Sequence, residues 1–327
     1  MRLRWLLFPF VPLYWIGLQV HQAWQRIRGV VVPPVYTVGV GNLRLGGTGK
    51  TPLVAWLACR FLQAGYRVAV VTRGYSRKER QPRRIRPGDE TLTVTEVGDE
   101  AYLLYLQTDR RIWLFVGRHR EQLLQQAADE GVEVALLDDN FQYLRVRAHR
   151  QVVLLVPGDF HAWLLPAGPL REPLSAVHRA DLVVVNYKNR RPREVLEIPG
   201  KPVFSLRYRV ERFRAWPEGP ALDPAALAGE PVVVFCGIAE PESFVASVLA
   251  TGARIVGMRC FLDHHWYTER DMEKLRALAR RRGARYLIAT AKDAVRLPGP
   301  LSDLLVPDLD LVIQPEEDFW RAVQPGG

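Results

Sequence analysis

The sequence predicts an α/β protein with two doubly wound lobes and a cleft between them, preceded by an N-terminal apolar helix. Three observations support this fold class. Short apolar runs alternate with longer segments of helical periodicity, which is typical of parallel sheets covered by helices on both faces. A glycine-rich turn joins the first apolar run to the first helix. A charged, proline-rich stretch at 190–202 indicates a boundary between two parts of the chain.

The first lobe is predicted at residues 31–200. Its apolar runs predict strands at 35–40, 68–72, 112–116, 134–137, 151–156 and 181–186. Its periodic segments predict helices at 50–64, 99–106 and 121–130. The stretch at 77–86 is basic and contains proline, and we interpret it as a mobile surface loop.

The second lobe is predicted at residues 215–327, after an extended linker at 201–214 that shows polar and apolar alternation. Its strands are predicted at 231–235, 254–260, 286–290 and 310–313, and its helices at 241–250 and 268–282. Ligand sites are frequent in clefts between two such lobes.

Residues 1–30 are predicted to be a membrane-associating helix. The uncharged stretch at 5–20 has arginines on both sides and is shorter than the roughly 20 residues that span a bilayer. Its prolines would kink a helix, and its tryptophans and tyrosine favour the headgroup zone. We expect an anchor that lies in, or dips into, the cytoplasmic leaflet, and a buried core helix is the alternative.

The formal net charge is +10, and most of the basic residues are arginines, which suit phosphate and carboxylate groups. This excess favours an anionic partner: nucleic acid, an anionic membrane face or a phosphorylated substrate. General solubility is the alternative explanation. The three cysteines show no C-x-x-C spacing, which argues against a disulfide framework or zinc site and fits a reducing cytosol.

The glycine-rich turn has the composition of a phosphate-binding loop, in which backbone N–H groups and a helix N-terminus surround phosphate oxygens. Its residues are Gly46, Gly47, Thr48, Gly49, Lys50 and Thr51. Lys50 would reach the β- and γ-phosphates of a nucleotide and Thr51 would hold Mg²⁺. The usual pattern has glycine at the position of Arg44, so only the core of the motif is present. The turn predicts a P-loop NTPase-like fold.

Several aspartate and histidine side chains could bind Mg²⁺ or accept a proton in a reaction at this loop. Asp138 and Asp139 follow an apolar strand, where carboxylates can bind Mg²⁺ or its waters, although an acidic pair there can also be a turn or cap. Asp99 begins a predicted helix and is either an N-cap or a proton acceptor. His264 follows Asp263 in the second lobe and is functional only if it faces the cleft.

Several motifs spread over the chain resemble those of the tetraacyldisaccharide 4′-kinases, the lipid A 4′-kinases of Gram-negative bacteria. In the first lobe they are GN at 41–42, GGTGKTP at 46–52, RGY at 73–75, VGDE at 97–100, VG at 116–117 with Arg120, DD at 138–139, FQ at 141–142 and LLPAGPLREPL at 164–174. In the second lobe they are GI at 237–238, Pro241, Phe244, FLDHHWY at 261–267, Thr290 and KDAVRLP at 292–298.

The resemblance implies phosphorylation, dependent on ATP and Mg²⁺, of the 4′-hydroxyl of an acylated glucosamine disaccharide 1-phosphate. It implies attachment to the cytoplasmic face of the bacterial inner membrane, peripherally or by a single N-terminal helix. The partners it implies are the lipid substrate and a membrane surface, with no nucleic acid and no protein partner inferred.

The resemblance also implies roles for individual residues. Asp99 and His264 match the pair that handles the proton of the acceptor hydroxyl. Lys50 matches the phosphate-loop lysine, and Thr51 and Asp138 are the expected Mg²⁺ ligands.

Asp139 matches the second member of the acidic pair and is expected to act in catalysis. Arg120 and Arg171 match arginines expected near phosphate groups of the substrate, although Arg171 could instead form a salt bridge with Glu172 or another acid. Arg73 and Tyr75 are expected to shape the acceptor side.

Two positions depart from the family pattern. Asn140 stands where the family has glycine, and we expect the turn to persist because asparagine tolerates left-handed backbone angles. Ala291 stands where the family has an acid, which removes any role for a carboxylate there.

Two other classes of protein remain open. A membrane-associated switch ATPase also combines such a loop with a membrane segment, but its loop usually has lysine where this chain has Leu45. A nucleic-acid binder could use the arginine clusters at 77–86, 145–150 and 280–285, but no recognition motif accompanies them.

Overall fold

The computed structural model describes residues 2–75, 77, 79–190, 196–217, 219–299, 301 and 303–326. Residues 191–195 of the predicted boundary, and residues 76 and 78 at the basic stretch, lie outside the described residues. Within the described part, the strands are β1 (Tyr36–Asn42), β2 (Val68–Thr72), β3 (Arg83–Ile85), β4 (Trp113–Val116), β5 (Val134–Asp138), β6 (Arg150–Leu155), β7 (Leu182–Lys188), β8 (Val203–Ala215), β9 (Ala221–Leu222), β10 (Pro231–Cys236), β11 (Arg254–Cys260), β12 (Tyr286–Ala289) and β13 (Leu304–Gln314).

These strands form one sheet that crosses both lobes, in the order β11-β10-β12-β13-β8-β7-β6-β1-β5-β2-β4-β3, with β9 on β8. Within each lobe the neighbours are parallel, apart from β3 against β4 and β9 against β8. The lobes meet where β13 runs antiparallel to β8.

Helices cover both faces of this sheet. They are α1 (Val11–Ile27), α2 (Lys50–Gln63), α3 (Val94–Val97), α4 (Asp99–Gln107), α5 (Arg120–Asp129), α6 (Pro241–Leu249), α7 (Glu269–Arg282), α8 (Ala291–Ala294) and α9 (Glu316–Val323). In the first lobe, Val70 of β2 packs into the core beneath α2, whereas the next residue, Val71, packs into the core beneath α5. This alternation places a helix layer on each side, and the predicted doubly wound α/β fold is confirmed.

The predicted linker has a different structure from the one expected. Residues 203–215 form β8, a strand that pairs with β7 on one side and β13 on the other. Its alternating sequence reflects a strand with two unlike faces rather than a free connection. Likewise, Arg83–Ile85 of the predicted surface loop forms β3 at the sheet edge.

The last helix of the chain returns to the first lobe. Because β13 runs back along β8, α9 follows it over the first-lobe core, where Phe319 contacts the rings of Trp56 and Phe204. The sequence placed this segment in the second lobe, and no helix was predicted there.

The N-terminal segment contains a 3₁₀ helix at Arg2–Phe10 followed by α1. In the described part of the chain, no helix combines the length and apolarity needed to cross a membrane. The outward side of α1 is apolar and exposed; its large exposed side chains are Leu13, Trp15, Ile16, Val20, Trp24 and Ile27.

Candidate active site

The glycine-rich turn leaves the end of β1 and leads directly into α2. Gly49 has φ +92°, and a Cβ atom there would lie 2.0 Å from the hydroxyl oxygen of Tyr208, so only glycine fits. The side-chain amide of Asn186 donates to the carbonyl oxygen of Thr48 over 2.8 Å, and that of Asn42 donates to the Thr48 hydroxyl over 2.9 Å. Side chains from β1, β7 and β8 therefore fix the shape of the loop.

The two aspartates at the end of β5 lie beside this loop, because β5 and β1 are paired in parallel. Asp138 is buried, and the Thr72 hydroxyl donates to its Oδ2 over 3.2 Å, whereas its buried Oδ1 has no partner among the described residues. Burial and repulsion from Glu100 and Asp139 raise the pKa of Asp138 to about 6, despite the opposing effect of Lys50. A buried carboxylate oxygen without a partner is a natural place for a cation.

Two cations lower the pKa of Asp139, in contrast to the raised pKa of Asp138. Its φ of +50° turns its side chain toward the loop, where Lys50 Nζ lies 3.4 Å from Oδ1. The guanidinium of Arg171 donates to both of its oxygens, over 3.1 and 3.3 Å, and to Oδ1 of Asn42. Although burial opposes ionisation, Lys50 and Arg171 hold the pKa of Asp139 well below its usual range. Arg171 therefore lies at the phosphate end and forms a salt bridge with an acid, as the alternative expectation had it, but this acid is Asp139 and not Glu172.

The oxygen donors available to Mg²⁺ are the Asp138 carboxylate and the Thr51 hydroxyl beside the loop. Within the described residues, no group of three or more His, Cys, Asp or Glu side chains is arranged around a metal position. Nucleotide-bound Mg²⁺ usually takes one or two protein oxygens and completes its shell with phosphates and water. The orphaned Oδ1 of Asp138 therefore fits this ion.

The acceptor end of the cleft, the group of residues around Asp99 and His264, joins residues from both lobes. Asp99 begins α4 and is fully buried; its Oδ2 lies 2.7 Å from Nδ1 of His264 and 3.7 Å from Nε of Arg296. Burial opposes ionisation, but His264, Lys292 and Arg296 outweigh it and lower the pKa of Asp99. Since an ionised carboxylate only accepts, Nδ1 of His264 carries the hydrogen in this contact, which leaves Nε2 as the acceptor atom of the ring.

Charged residues of the second lobe support this pair, and sequence reasoning gave them no role. Lys292 Nζ donates to Oε1 of Glu100 over 2.7 Å; burial would lower the pKa of Lys292, but this pairing raises it. Arg296 is fully buried and donates to Oδ1 of Asp293 over 2.8 Å. The signal that could have found them is the run KDAVRLP at 292–298, whose charges recur at helical spacing.

A cleft of about 1650 Å³ connects the two ends. The side chain of Tyr75 lies on its acceptor side, with its ring centroid 5.3 Å from that of His264. Lining residues from the first lobe include Gly46, Gly47, Thr48, Gly49, Lys50, Thr51, Arg73, Tyr75, Asp138, Asp139 and Arg171, and those from the second include His264, Ala291 and Lys292. One continuous space therefore reaches both the phosphate loop and the Asp99–His264 pair.

Arg120 has a different position from the one expected. Its guanidinium is buried behind the acidic pair, where it donates to Oδ1 of Asn140 over 2.6 Å and to the carbonyl oxygens of Asp138 and Asp139 over 2.7 and 3.1 Å. It supports the turn from behind and does not line the cleft. The residue of this turn with a left-handed backbone conformation is Asp139, not Asn140 as expected. The side chain of Asn140 instead accepts a hydrogen bond from Arg120.

The chain is similar in sequence to the members of one family of known proteins. The sequence model of the tetraacyldisaccharide-1-P 4′-kinase family matches residues 3–324. A tetraacyldisaccharide 4′-kinase of Syntrophobacter fumaroxidans is 37% identical over 320 residues, which cover 94% of this chain and 84% of the relative. One from Geobacter sulfurreducens is 38% identical over 277 residues, which cover 82% and 76%.

A solved structure shows the same architecture. The crystal structure of LpxK from Aquifex aeolicus in complex with ATP superposes with a TM-score of 0.83 at 26% identity, and covers 98% of both chains. Family sequence, whole-chain coverage and fold therefore coincide, and this chain belongs to the tetraacyldisaccharide 4′-kinase family.

Proposed function

We propose that this protein transfers the γ-phosphoryl group of ATP to the 4′-hydroxyl of a tetraacyldisaccharide 1-phosphate, a step of lipid A biosynthesis. The observation that carries the proposal is the cleft shared by the phosphate loop and the Asp99–His264 pair. Its two ends provide a place for a nucleotide and a proton acceptor for an alcohol, which are the two parts that phosphoryl transfer requires.

In this reaction the acceptor oxygen forms a bond to the γ-phosphorus, the bond to the β-phosphate oxygen breaks, and ADP leaves. The hydroxyl proton passes to the Asp99–His264 pair, in which the imidazole lines the cleft and the carboxylate is buried behind it. Asp99 fixes the ring through Nδ1 and stabilises its positive charge once Nε2 has accepted the proton. Lys50 and Arg171, already ordered around Asp139, neutralise charge on the transferred group.

Mg²⁺ is the second part of the proposal, with Asp138 and Thr51 as its protein ligands. When bound, the ion neutralises phosphate charge. The unpaired Oδ1 and raised pKa of Asp138 support this assignment, because a bound cation would remove the cost of ionising that carboxyl group. Asp138→Asn should raise the Mg²⁺ concentration for half-maximal turnover by about tenfold or more. An unchanged Mg²⁺ requirement would contradict the assignment.

A membrane surface on the cytoplasmic face of the bacterial inner membrane is the proposed location of the reaction. The apolar outward side of α1 supports it, as does the net charge of +10, which favours anionic lipid. A double change in that side, Ile16→Ser with Val20→Ser, should lower the fraction that sediments with anionic phospholipid vesicles. Equal sedimentation of this variant and the wild type would refute the role of α1.

The test of the reaction is incubation with γ-labelled ATP and a tetraacyldisaccharide 1-phosphate dispersed in detergent, followed by location of the new phosphate. Label on the 4′-oxygen is the expected result. Hydrolysis of ATP at the same rate with and without the lipid, and no labelled lipid, would favour a switch ATPase instead.

A further inference from the structure

Helix α1 contacts the first lobe through polar side chains. Gln22 and Gln25, one turn apart, are buried against the lobe, whereas most of the large apolar side chains of the helix are exposed. A helix that served only as an anchor would need no buried polar contacts with the catalytic lobe. The partners of these two glutamines are therefore informative.

Gln25 holds the segment that follows the acidic pair. Its Nε2 donates to the carbonyl oxygen of Gln142 over 3.1 Å, and its Oε1 accepts from the backbone N–H of Leu144 over 2.9 Å. The amide group of this one side chain thus both donates to and accepts from the backbone, as a peptide group of a neighbouring strand would. The segment begins three residues after Asp139, so its position affects where that carboxylate lies.

Gln22 holds the segment that carries Arg171. Its Nε2 donates over 2.6 Å to the carboxylate of Glu172, which is almost completely buried. Arg179 donates to both oxygens of the same carboxylate over 2.7 and 2.9 Å, and Gln142 donates over 3.0 Å. Glu172 therefore connects α1 to both segments, and its neighbour Arg171 is the residue that binds Asp139.

Two further contacts complete the connection. The hydroxyl of Tyr14 donates to the carbonyl oxygen of Arg171 over 2.8 Å, and Gln142 donates to the carbonyl oxygen of Asn42 over 2.8 Å. Asn42 also binds Thr48 of the phosphate loop. The inner side of α1 is thus connected through hydrogen bonds to Arg171 and, through Gln142 and Asn42, to Thr48 of the phosphate loop.

We propose that Gln22 and Gln25 are positioning residues for phosphoryl transfer. Through Glu172 and the backbone at 142–144 they fix the two segments that set Asp139 and Arg171 beside the phosphate loop. The helix whose outer side is proposed to contact the membrane thereby also orders the phosphate end of the site. This inference rests on the proposed kinase reaction, and its test separates positioning from membrane attachment.

The experiment measures steady-state kinetics with ATP and the lipid acceptor dispersed in detergent, where membrane attachment is not required. The double variant Gln22→Met with Gln25→Met keeps side-chain length and helix propensity but loses the hydrogen bonds. We expect kcat to fall by about tenfold or more, with KM for the acceptor changed by less than about twofold, because misplacement of reacting groups reduces the chemical step. A merely stabilising role would lower the melting temperature without this split between kcat and KM.

The matched control is Gln19→Met, the same chemical change at an exposed position of α1. It should leave kcat at the wild-type value. A wild-type kcat in the double variant, or an equal loss in Gln19→Met, would overturn the inference.

If the double variant does not fold, Gln25→Glu replaces it. This change keeps the acceptor for Leu144 and loses the donor to Gln142, and a wild-type kcat would again overturn the inference. Absence of lipid phosphorylation by the wild type would refute the kinase proposal instead.

Discussion

The two ends of the cleft are built in different ways. The phosphate end is formed by one contiguous run, Gly46 to Thr51, and by aspartates at the end of the adjacent strand. The acceptor end is formed across the lobes: Asp99 and Glu100 of the first lobe meet His264, Lys292 and Arg296 of the second. The acceptor end therefore depends directly on how the lobes are placed relative to each other.

The two ends also differ in the electrostatic environment of their buried aspartates. Asp138 and Asp99 are both buried aspartates, yet the pKa of Asp138 is raised to about 6 and that of Asp99 is lowered. Asp99 has Arg296 and Lys292 as cationic neighbours from the second lobe, whereas one oxygen of Asp138 has no partner among the described residues. The phosphate end is thus incomplete until cation and nucleotide bind, while the acceptor end is already neutralised by the protein.

The largest effect is expected from disruption of the Asp99–His264 pair. Asp99→Asn removes the charge that orients and stabilises the imidazole, and should lower kcat by about 10³-fold. KM for ATP should stay within about twofold, because the phosphate end is built separately. Kinetics with saturating lipid measure both constants. His264→Gln should act similarly, and the double variant should be little worse than either single one, since the two act as a unit. A rise in KM for ATP that matched the loss in kcat would contradict the separation of the ends.

A smaller loss of turnover, together with weaker nucleotide binding, is expected at the phosphate end. Lys50→Met removes a cation that lies 3.4 Å from Asp139, and should lower kcat/KM for ATP by about 10²-fold. Because the same lysine would contact phosphate before and during transfer, KM and kcat should both change. Lys274→Met, at an exposed position of α7, is the matched control. A change in kcat alone would place Lys50 with the acceptor end instead.

The different construction of the two ends explains what could be predicted from sequence. The strand, glycine-rich turn and helix at 36–63 are local, so their pattern predicted both the fold class and the nucleotide end. The contact between Asp99 and His264 spans 165 positions, and no periodicity encodes it; only resemblance to a family suggested it. Arg296 and Lys292 gained a role only once the lobes were seen together.

Other differences have equally physical causes. Arg120 was expected near a phosphate because it matches an arginine of the resembled family, but its guanidinium donates to three backbone and side-chain oxygens of the acidic turn. The segment 201–214 was predicted to be an extended linker, but its alternation is that of a strand whose partner is distant in sequence. That partner, β13, lies about a hundred residues later in the chain, as in the pairing of Arg209 with Asp310.

The lowered pKa of Asp99 should make the free energy of unfolding depend on pH. Because the pKa of Asp99 is lower in the folded than in the unfolded protein, its carboxylate stabilises the fold above the unfolded value of about 3.9, and this contribution disappears as pH falls through the folded pKa. Asp99→Asn should therefore cost about 1–3 kcal/mol in free energy of unfolding at pH 7. Urea unfolding at a series of pH values should show this gap constant above about pH 5 and smaller below about pH 4. A gap that widened in acid would contradict the assigned shift.

The smallest effect is expected at a contact that joins the lobes beyond the acceptor end, between Lys188 at the end of β7 and Glu240 before α6. Both side chains are partly exposed, so Glu240→Gln should change the free energy of unfolding by less than about 1 kcal/mol. If the acceptor end depends on lobe placement, KM for the lipid should nevertheless rise by about two- to threefold, while KM for ATP stays unchanged. Glu242→Gln, at an exposed position of α6, is the control and should change neither constant. An effect of Glu240→Gln on ATP alone would show that lobe placement governs the phosphate end as well, and the contrast between the two ends would no longer hold.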